Sequence, residues 1–525
     1  MSNTQNNLKL QREEPWRAEL RNQIKAKDRT VFERVKMPEV AAEIRNKSHI
    51  EVNSGLTEEL AQKEARRCLD CVSPTCMDGC PVGVNIPAFI KHIEKGEYRQ
   101  AIAVIKESNA FPAICGRVCP QEIQCESACF YTQKLKKPSV SIGNLERFAA
   151  DYEMRSNNMC IPAIEKLQKE KVGVIGSGPA SLAAAGDLAK HGYHVSIFEA
   201  LHEFGGVLKY GIPEFRLPND IIDKEIEVLH KMGVEFINNF IVGKTATIED
   251  LKDEGYKAFF IGSGAGLPKF MGIPGENFIG VLSSNEYLTR INLMYAYKSD
   301  YDTPVMLGKN VAVIGGGNTA MDSVRTAKRL GAERAIIIYR RSFDEMPARK
   351  EEIHHALEEG VEFMNLTNPL MYLADKNGRV NKIVLRKIAL GEPDSSGRRK
   401  PVEVEGSEFE LDIDLAIVSI GVSPNPLIPQ SIPNLQTTCW GTIVVHQDTM
   451  QTSVPELFAG GDIVRGGATV ILAMGDGRKA AAGIHELMQK NKETEKIGIP
   501  NTEKGLSEER YGFFSLGNYI CGVGI

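Results

Sequence analysis

A chain of 525 residues with an apolar fraction of 42% exceeds what one hydrophobic core ordinarily encloses, so about three domains are expected. A formal charge of -5 provides no basic field for nucleic acid, which leaves small molecules or proteins as the expected partners. The start, MSNTQNNLKLQREEPW, lacks a basic stretch followed by an apolar run, and no segment holds the roughly 18 apolar residues that span a bilayer; no membrane contact and a cytoplasmic location are expected.

Residues 1–162 are charged and helix-rich. Arg12 to Lys36 reads as a helical stretch with a solvated face, and Thr57 as the N-cap of a helix that leads through Arg66 and Arg67 to Cys68. Eight of the 11 cysteines lie here in two tight groups, Cys68, Cys71, Cys76 and Cys80, then Cys115, Cys119, Cys125 and Cys129, with Cys-Pro steps at Pro81 and Pro120. Thiolates a few residues apart can grip an iron-sulfur cubane, and a following proline turns the chain away from it. Zinc ribbons alternate two CxxC pairs over a longer gap, and disulfides do not suit a reducing compartment.

At Lys171 the character changes. A β run at 172–175, a glycine turn, an alanine-rich helix and a second β run at 195–198 make one βαβ unit, and the pattern returns at 311–314 and 336–339. Two such units imply two bound dinucleotides. From Glu362 to Glu410 apolar and polar residues alternate around Gly378, Gly391 and Gly397, which predicts antiparallel strands, and the chain crosses back towards the first unit near Leu415 to Gly421. The expected fold class is α/β: two Rossmann-like domains, glutathione-reductase-like, after an all-helical iron-sulfur domain. The boundaries are 163–300 and 421–490 for the first dinucleotide domain, 301–420 for the second, and 491–525 for a tail.

In the first turn Gly176 permits the bend, Gly178 lets amides approach a pyrophosphate, and the helix opening at Pro179 and Ala180 faces it with its positive end. Ser181 stands where the fingerprint has a third glycine, and Glu199 ends the second strand, placed to accept from a ribose hydroxyl. The second turn uses Gly315, Gly317, Asn318 and Thr319, with Ala320 in third position. Its second strand ends in Arg340 and Arg341 rather than an acid, which favours a 2′-phosphate and so NADPH. Near the C-terminus Gly461 and Asp462 follow a strand and Thr469 precedes a helix, a turn able to hold flavin ribityl or pyrophosphate oxygens.

The whole order resembles the small, β-type subunit of NADPH-dependent glutamate synthase, with the N-terminal half of dihydropyrimidine dehydrogenase and the large subunit of ferredoxin:NADP transhydrogenase as relatives. The resemblance runs from about Arg66 to Leu487 and rests on Arg67-Cys68-Leu69-Asp70-Cys71, on Ile114 to Pro120, on Gly205 to Pro218, and on Glu345-Met346-Pro347-Ala348-Arg349. It implies FAD at the first turn, with Gly206, Arg216, Asp462 and Thr469 beside it, and NADPH at the second, with Arg349 added to its contacts. It implies two 4Fe-4S clusters, one on Cys68, Cys71, Cys76 and Glu146, the other on Cys80, Cys119, Cys125 and Cys129. Cys115 is then left over; the alternative is that Cys115 is a ligand and Glu146 an exposed acid.

The implied activity is hydride transfer from NADPH to FAD and electron delivery through the clusters to a larger catalytic subunit or a ferredoxin-type redox partner in a hetero-oligomer. Glutamate synthase is the first expectation; a bifurcating transhydrogenase or a dihydropyrimidine dehydrogenase subunit are the rivals. A redox-regulated scaffold without catalysis is the alternative of another class.

Overall fold

The computed structural model describes residues 3–156, 159–394 and 397–497, so most of the expected tail at 491–525 lies outside the described residues. Helices joined by turns make up the N-terminal part. The helix Glu58–Ala65 opens at Thr57, whose hydroxyl accepts from Leu60 N at 3.3 Å, a cap of the kind that contributes about 1 kcal/mol. Apolar residues spaced three and four apart put Phe89, Ile90 and Ile93 on one face of Ile86–Lys95, and Leu145, Phe148 and Ala149 on one face of Ile142–Arg155. These faces share a continuous core with Ala184, Leu188 and Met474 of the first dinucleotide domain, so the cysteine-bearing helices are built onto that domain rather than tethered to it.

The expected solvated face is present on Pro15–Gln23 at Glu19, Asn22 and Gln23, but part of the stretch turns inward. On Pro15–Gln23, Arg17 is buried and paired with Asp70, and Arg29 in the next turn is buried against Glu94. Asp70 has no exposed surface, and a buried carboxylate needs an opposite charge.

The first sheet contains β1 (Lys171–Ile175), β2 (His194–Phe198), β3 (Glu235–Ile237) and β4 (Tyr256–Ile261). A short β5 (Leu267–Pro268) leads to the second sheet, made of β6 (Val281–Ser283), β7 (Asn310–Ile314), β8 (Arg334–Tyr339) and β9 (Glu362–Asn365). The predicted antiparallel segment is present as β10 (Thr367–Ala374), β11 (Val380–Pro393), β12 (Arg399–Glu403) and β13 (Phe409–Asp412). Then β14 (Leu415–Val418) completes the second sheet, β15 (Val422–Ser423) pairs back onto β5, and β16 (Leu457–Ala459) joins the first sheet.

Both five-stranded sheets are parallel, in the orders β16-β4-β1-β2-β3 and β6-β14-β7-β8-β9. Near-continuous apolar strands such as Val311–Ile314 fit a sheet covered on both faces. Because β6 pairs with β14, the second domain begins about 20 residues ahead of the boundary expected at 301. A three-residue strand carries too little periodicity to be read in advance.

The long helix Val470–Ile497 crosses Pro179–Lys190 in backbone contact: a Cβ on Gly477 would lie 2.0 Å from the carbonyl oxygen of Ala180. Only glycine fits there. The crossing brings the Gly460–Gly461 turn onto the first glycine turn, where a Cβ on Gly461 would stand 3.1 Å from the Ala180 methyl.

Candidate active site and cluster-binding loops

The first glycine turn is rigidly fastened. Gly176 has φ 87°, and a Cβ there would approach Gly262 O to 2.8 Å; Gly206, at φ 56°, stands so close that its Cβ would meet Gly178 Cα at 2.9 Å. Above Gly178 itself there is open space, as a phosphate approaching the helix N-terminus requires. Ser177 donates from its amide (2.8 Å) and its hydroxyl (2.6 Å) to Glu199 Oε2, and that hydroxyl accepts from Gly205 N at 3.0 Å. Glu199 Oε1 accepts from Leu201 N at 2.9 Å. Glu199 thereby draws the chain at Ser177, Leu201 and Gly205 together.

On the facing side, Gly461 N donates to Asp476 Oδ2 at 3.1 Å, and Asp476 pairs with Arg465 at 2.6 Å. Burial pushes the Asp462 carboxyl up, while a hydrogen bond to the Ala468 backbone pulls it down. Thr469 Oγ1 accepts from Leu472 N at 3.4 Å, capping the long helix, and from Gln124 Nε2 at 3.5 Å. Ser177 and Asp476 were not singled out in the sequence. Ser177 occupies the variable place between two fingerprint glycines, and Asp476 lies 14 residues past Asp462, where only the fold brings it back.

Arg216 turns to the second dinucleotide domain instead. Its guanidinium is buried between Asp322, at 2.7 Å, and Glu352, at 3.2 Å, both on the second dinucleotide domain. Arg325 and Arg329 pair with Glu359 beside it, Arg45 of the N-terminal part joins Glu359 at 3.1 Å, and the Phe215 ring lies 3.8 Å under Arg329. Burial pushes the Glu352 carboxyl up, but Arg216 and Arg325 outweigh it and hold the group at about 2. Arg216 is therefore an inter-domain clamp, because an unpaired cation at that depth is far costlier than a lost cofactor contact.

The second glycine turn opens on a cleft of about 720 Å³. Gly315, with φ 144°, passes so close to Ser419 that a Cβ would lie 2.2 Å from its carbonyl oxygen; over Gly317 there is open space. Gly315, Gly317, Thr319, Arg340 and Arg341 line the cleft together with Arg398, which arrives from the β11–β12 hairpin and carried no signal in the sequence. Arg340 is exposed, whereas Arg341 is buried, its Nη2 paired with Asp394 at 2.5 Å and its Nε donating to Arg399 O at 2.9 Å. Asn318 opens the helix between the lining residues Gly317 and Thr319, its Oδ1 accepting from Arg349 N at 2.9 Å. One expected contact is corrected. Arg349 points to the cysteine domain, donating to Arg117 O at 2.9 Å and to Gln121 Oε1 at 3.3 Å.

The cysteines separate into two groups, but not along the expected line. Cys129 lines one small cavity with Cys68, Cys71 and Cys76, while Cys80, Cys119 and Cys125 lie within electrostatic reach of Glu146. The pairs Cys76/Cys80 and Cys125/Cys129 are thus each split between the groups. The cause is the packing of the Cys76–Cys80 turn on the Cys125–Cys129 turn, so tight that a Cβ on Gly79 would lie 2.8 Å from Ala128 Cβ. Burial pushes the Cys68 thiol up to about 12, and burial with the nearby Cys68, Cys129 and Cys71 sulfurs raises Cys76 well above its ordinary value.

Among the described residues no three cysteine sulfurs lie within 4.8 Å of one another. Four thiolates on one zinc, at about 2.3 Å each, would bring the sulfurs to about 3.8 Å. The sulfurs are thus spread wider than a single zinc would draw them. Glu146, half-buried by area yet surrounded by protein, has its carboxyl pushed up to about 7 by burial, an effect opposed by the amide of Asn109 at 2.5 Å. Cys115 packs its sulfur 3.5 Å from Met474 Sδ and 3.6 Å from Asn109 Oδ1.

Comparison with known proteins adds the following. Residues 45–158 match the family dihydropyrimidine dehydrogenase domain II, 4Fe-4S cluster, and residues 170–477 match the family pyridine nucleotide-disulphide oxidoreductase. The chain is 36% identical over 449 residues to the glutamate synthase (NADPH) small chain of Azospirillum brasilense, an overlap of 84% of this chain and 92% of that one. It is 37% identical over 452 residues to the NADPH-Fe(3+) oxidoreductase subunit beta of Geobacter sulfurreducens, covering 81% of this chain and 65% of that one. In fold it resembles Mycobacterium tuberculosis FprA in complex with NADPH, with a TM-score of 0.53 at 19% identity over 63% of this chain and 87% of that chain. No helix among the described residues is long and apolar enough to cross a membrane.

Proposed function

The chain belongs to the glutamate synthase (NADPH) small chain family of NADPH-dependent oxidoreductases, and on that premise we propose that it is the electron-input subunit of a glutamate synthase, working with a larger catalytic subunit. Bound FAD would accept hydride from NADPH and release electrons singly to two 4Fe-4S clusters and so to the partner. The protein's own work is positioning. Gly176, Gly178, Pro179 and Ala180 present helix amides to a pyrophosphate, and Glu199, Gly206, Gly461, Asp462 and Thr469 close the flavin pocket. Gly315, Gly317, Thr319, Arg340 and Arg341, with Arg398, receive NADPH.

For the clusters, Cys68, Cys71, Cys76 and Cys129 form one ligand set, and Cys80, Cys119, Cys125 and Glu146 the other. The second set is the one next to the flavin pocket. The observation that carries the reading is this junction: Cys115 packs on Met474, Gln124 donates to Thr469, and a Cβ on Gly475 would lie 3.9 Å from Pro81 O, so the helix capped at the flavin pocket runs directly along that cysteine loop. Hydride acceptor and one-electron carriers would then be held against one shared core.

Purified holoprotein given NADPH and an artificial acceptor should turn over, and addition of a glutamate synthase large subunit should yield glutamate from glutamine and 2-oxoglutarate. Turnover without glutamate would assign another acceptor, such as that of the Geobacter relative. Absence of any turnover would favour a scaffold.

A further inference from the structure

The Cys68–Cys71 loop is ringed by cations. Asp70, between the two cysteines and fully buried at φ 52°, receives Arg17 and, at 2.7 Å, Arg21 on its carboxylate, and Arg12 Nε at 2.8 Å on its carbonyl. Lys91, also buried, donates to Cys68 O at 2.7 Å, its own charge answered by Glu94 at 2.5 Å. All three arginines precede the 45–158 segment that carries the cluster-family match. One carboxylate faces three guanidinium groups; Glu13, paired with Arg12 and Arg21, is 61% exposed and answers them only at the rim, so its charge is screened by water. Among the groups that meet at Asp70, three guanidinium groups therefore outnumber its carboxylate and the water-screened Glu13. A cluster that gains an electron becomes more negative, and positive surroundings favour that state.

We propose that Arg12, Arg17 and Arg21 are positioning residues that hold the Cys68–Cys71 loop through Asp70 and raise the reduction potential of the cluster bound by Cys68, Cys71, Cys76 and Cys129. The proposal rests on the ligand grouping given above. It makes that cluster, the farther one from the flavin pocket, the preferred resting place of an electron before it leaves the chain. The first two helices, Asn3–Arg12 and Pro15–Gln23, thus act as a fixed electrostatic bias, not merely as a cover.

The test is an anaerobic redox titration of the holoprotein followed by electron paramagnetic resonance, with this cluster's signal identified by its loss in Cys76→Ala. The midpoint potential should fall in Arg21→Gln, fall further in Arg21→Glu and return to the native value in Arg21→Lys, while Asp70→Asn shifts it upward. A potential common to all variants, or one equally lowered in Arg21→Lys and Arg21→Gln, would overturn the electrostatic role. Loss of iron from every variant, Arg21→Lys included, would reduce the helix to a clamp and overturn it too. A native protein with no signal sensitive to Cys76→Ala would refute the ligand grouping itself.

Discussion

Removing the Arg340 side chain should shift cofactor preference more cleanly than any other single change. Arg340 is exposed at the end of β8, lines the 720 Å³ cleft, and lies beside Arg341 and Arg398. A hydrogen bond to a charged group contributes about 1.5–3 kcal/mol, and each 1.4 kcal/mol is a factor of about ten. Since Arg340 is exposed, the lower end applies, and Arg340→Ala should raise KM for NADPH about tenfold while leaving KM for NADH unchanged. Arg398→Ala should act in the same direction. Arg341→Ala should be less selective, because its fork holds Asp394 and the Arg399 carbonyl and its loss loosens the whole hairpin. The assay is steady-state reduction of an artificial acceptor with each nucleotide in turn. An unchanged ratio of kcat/KM values in both Arg340→Ala and Arg398→Ala would refute a phosphate-binding role for this basic cluster.

Arg216→Ala strands the Asp322 and Glu352 carboxylates in the interior and should cost about 3–5 kcal/mol, read as a lower urea midpoint with FAD content unchanged; the reverse pattern would restore Arg216 to the flavin site. Glu146→Ala should lose iron from one cluster and Cys115→Ser should keep it, by iron and sulfide analysis; the opposite pair of results would make Cys115 the ligand. His49, stacked on Tyr297 at 4.2 Å, is held at about 4, first by burial and then by Arg329. Its folded pKa lies below the unfolded value near 6.5, so the unfolded chain takes up a proton first and stability falls as pH drops from about 6.5 towards 4. The loss should be about 2 kcal/mol by pH 5 in urea titrations, and His49→Phe, which keeps the ring, should flatten that part of the profile; an equally steep profile in the variant would contradict it.

The parts of the fold set by local chemistry could be read in advance. The strands flanking Gly176 and Gly315 and the alternating segment around Gly378 announce themselves over a few residues, and so does the Thr57 cap. What could not be read depends on contacts across long separations. Arg216 looked like part of a flavin motif because its neighbours are, but its partner Asp322 is 106 residues away. Cys125 and Cys129 were expected on one cluster, and only the packing of Gly79 on Ala128 sends them to different groups. Arg398 comes from an exposed hairpin, and Arg17 of the second helix is buried only because its partner Asp70 is. Glu146 was reached through family resemblance, since a lone helical glutamate carries no ligand signal of its own.

The central claim is that a nicotinamide-fed flavin and iron-sulfur clusters are held in one electron path within this chain. A single anaerobic titration of the holoprotein with NADPH, followed in visible absorption and paramagnetic resonance on material assayed for iron and acid-labile sulfide, tests it most directly. The account predicts iron and sulfide in equal amounts, bleaching of the flavin band by NADPH, and loss of onward transfer to an acceptor when Cys119→Ala removes the cluster nearer the flavin pocket. Protein that lacked sulfide, or whose flavin NADPH left oxidised, would contradict it.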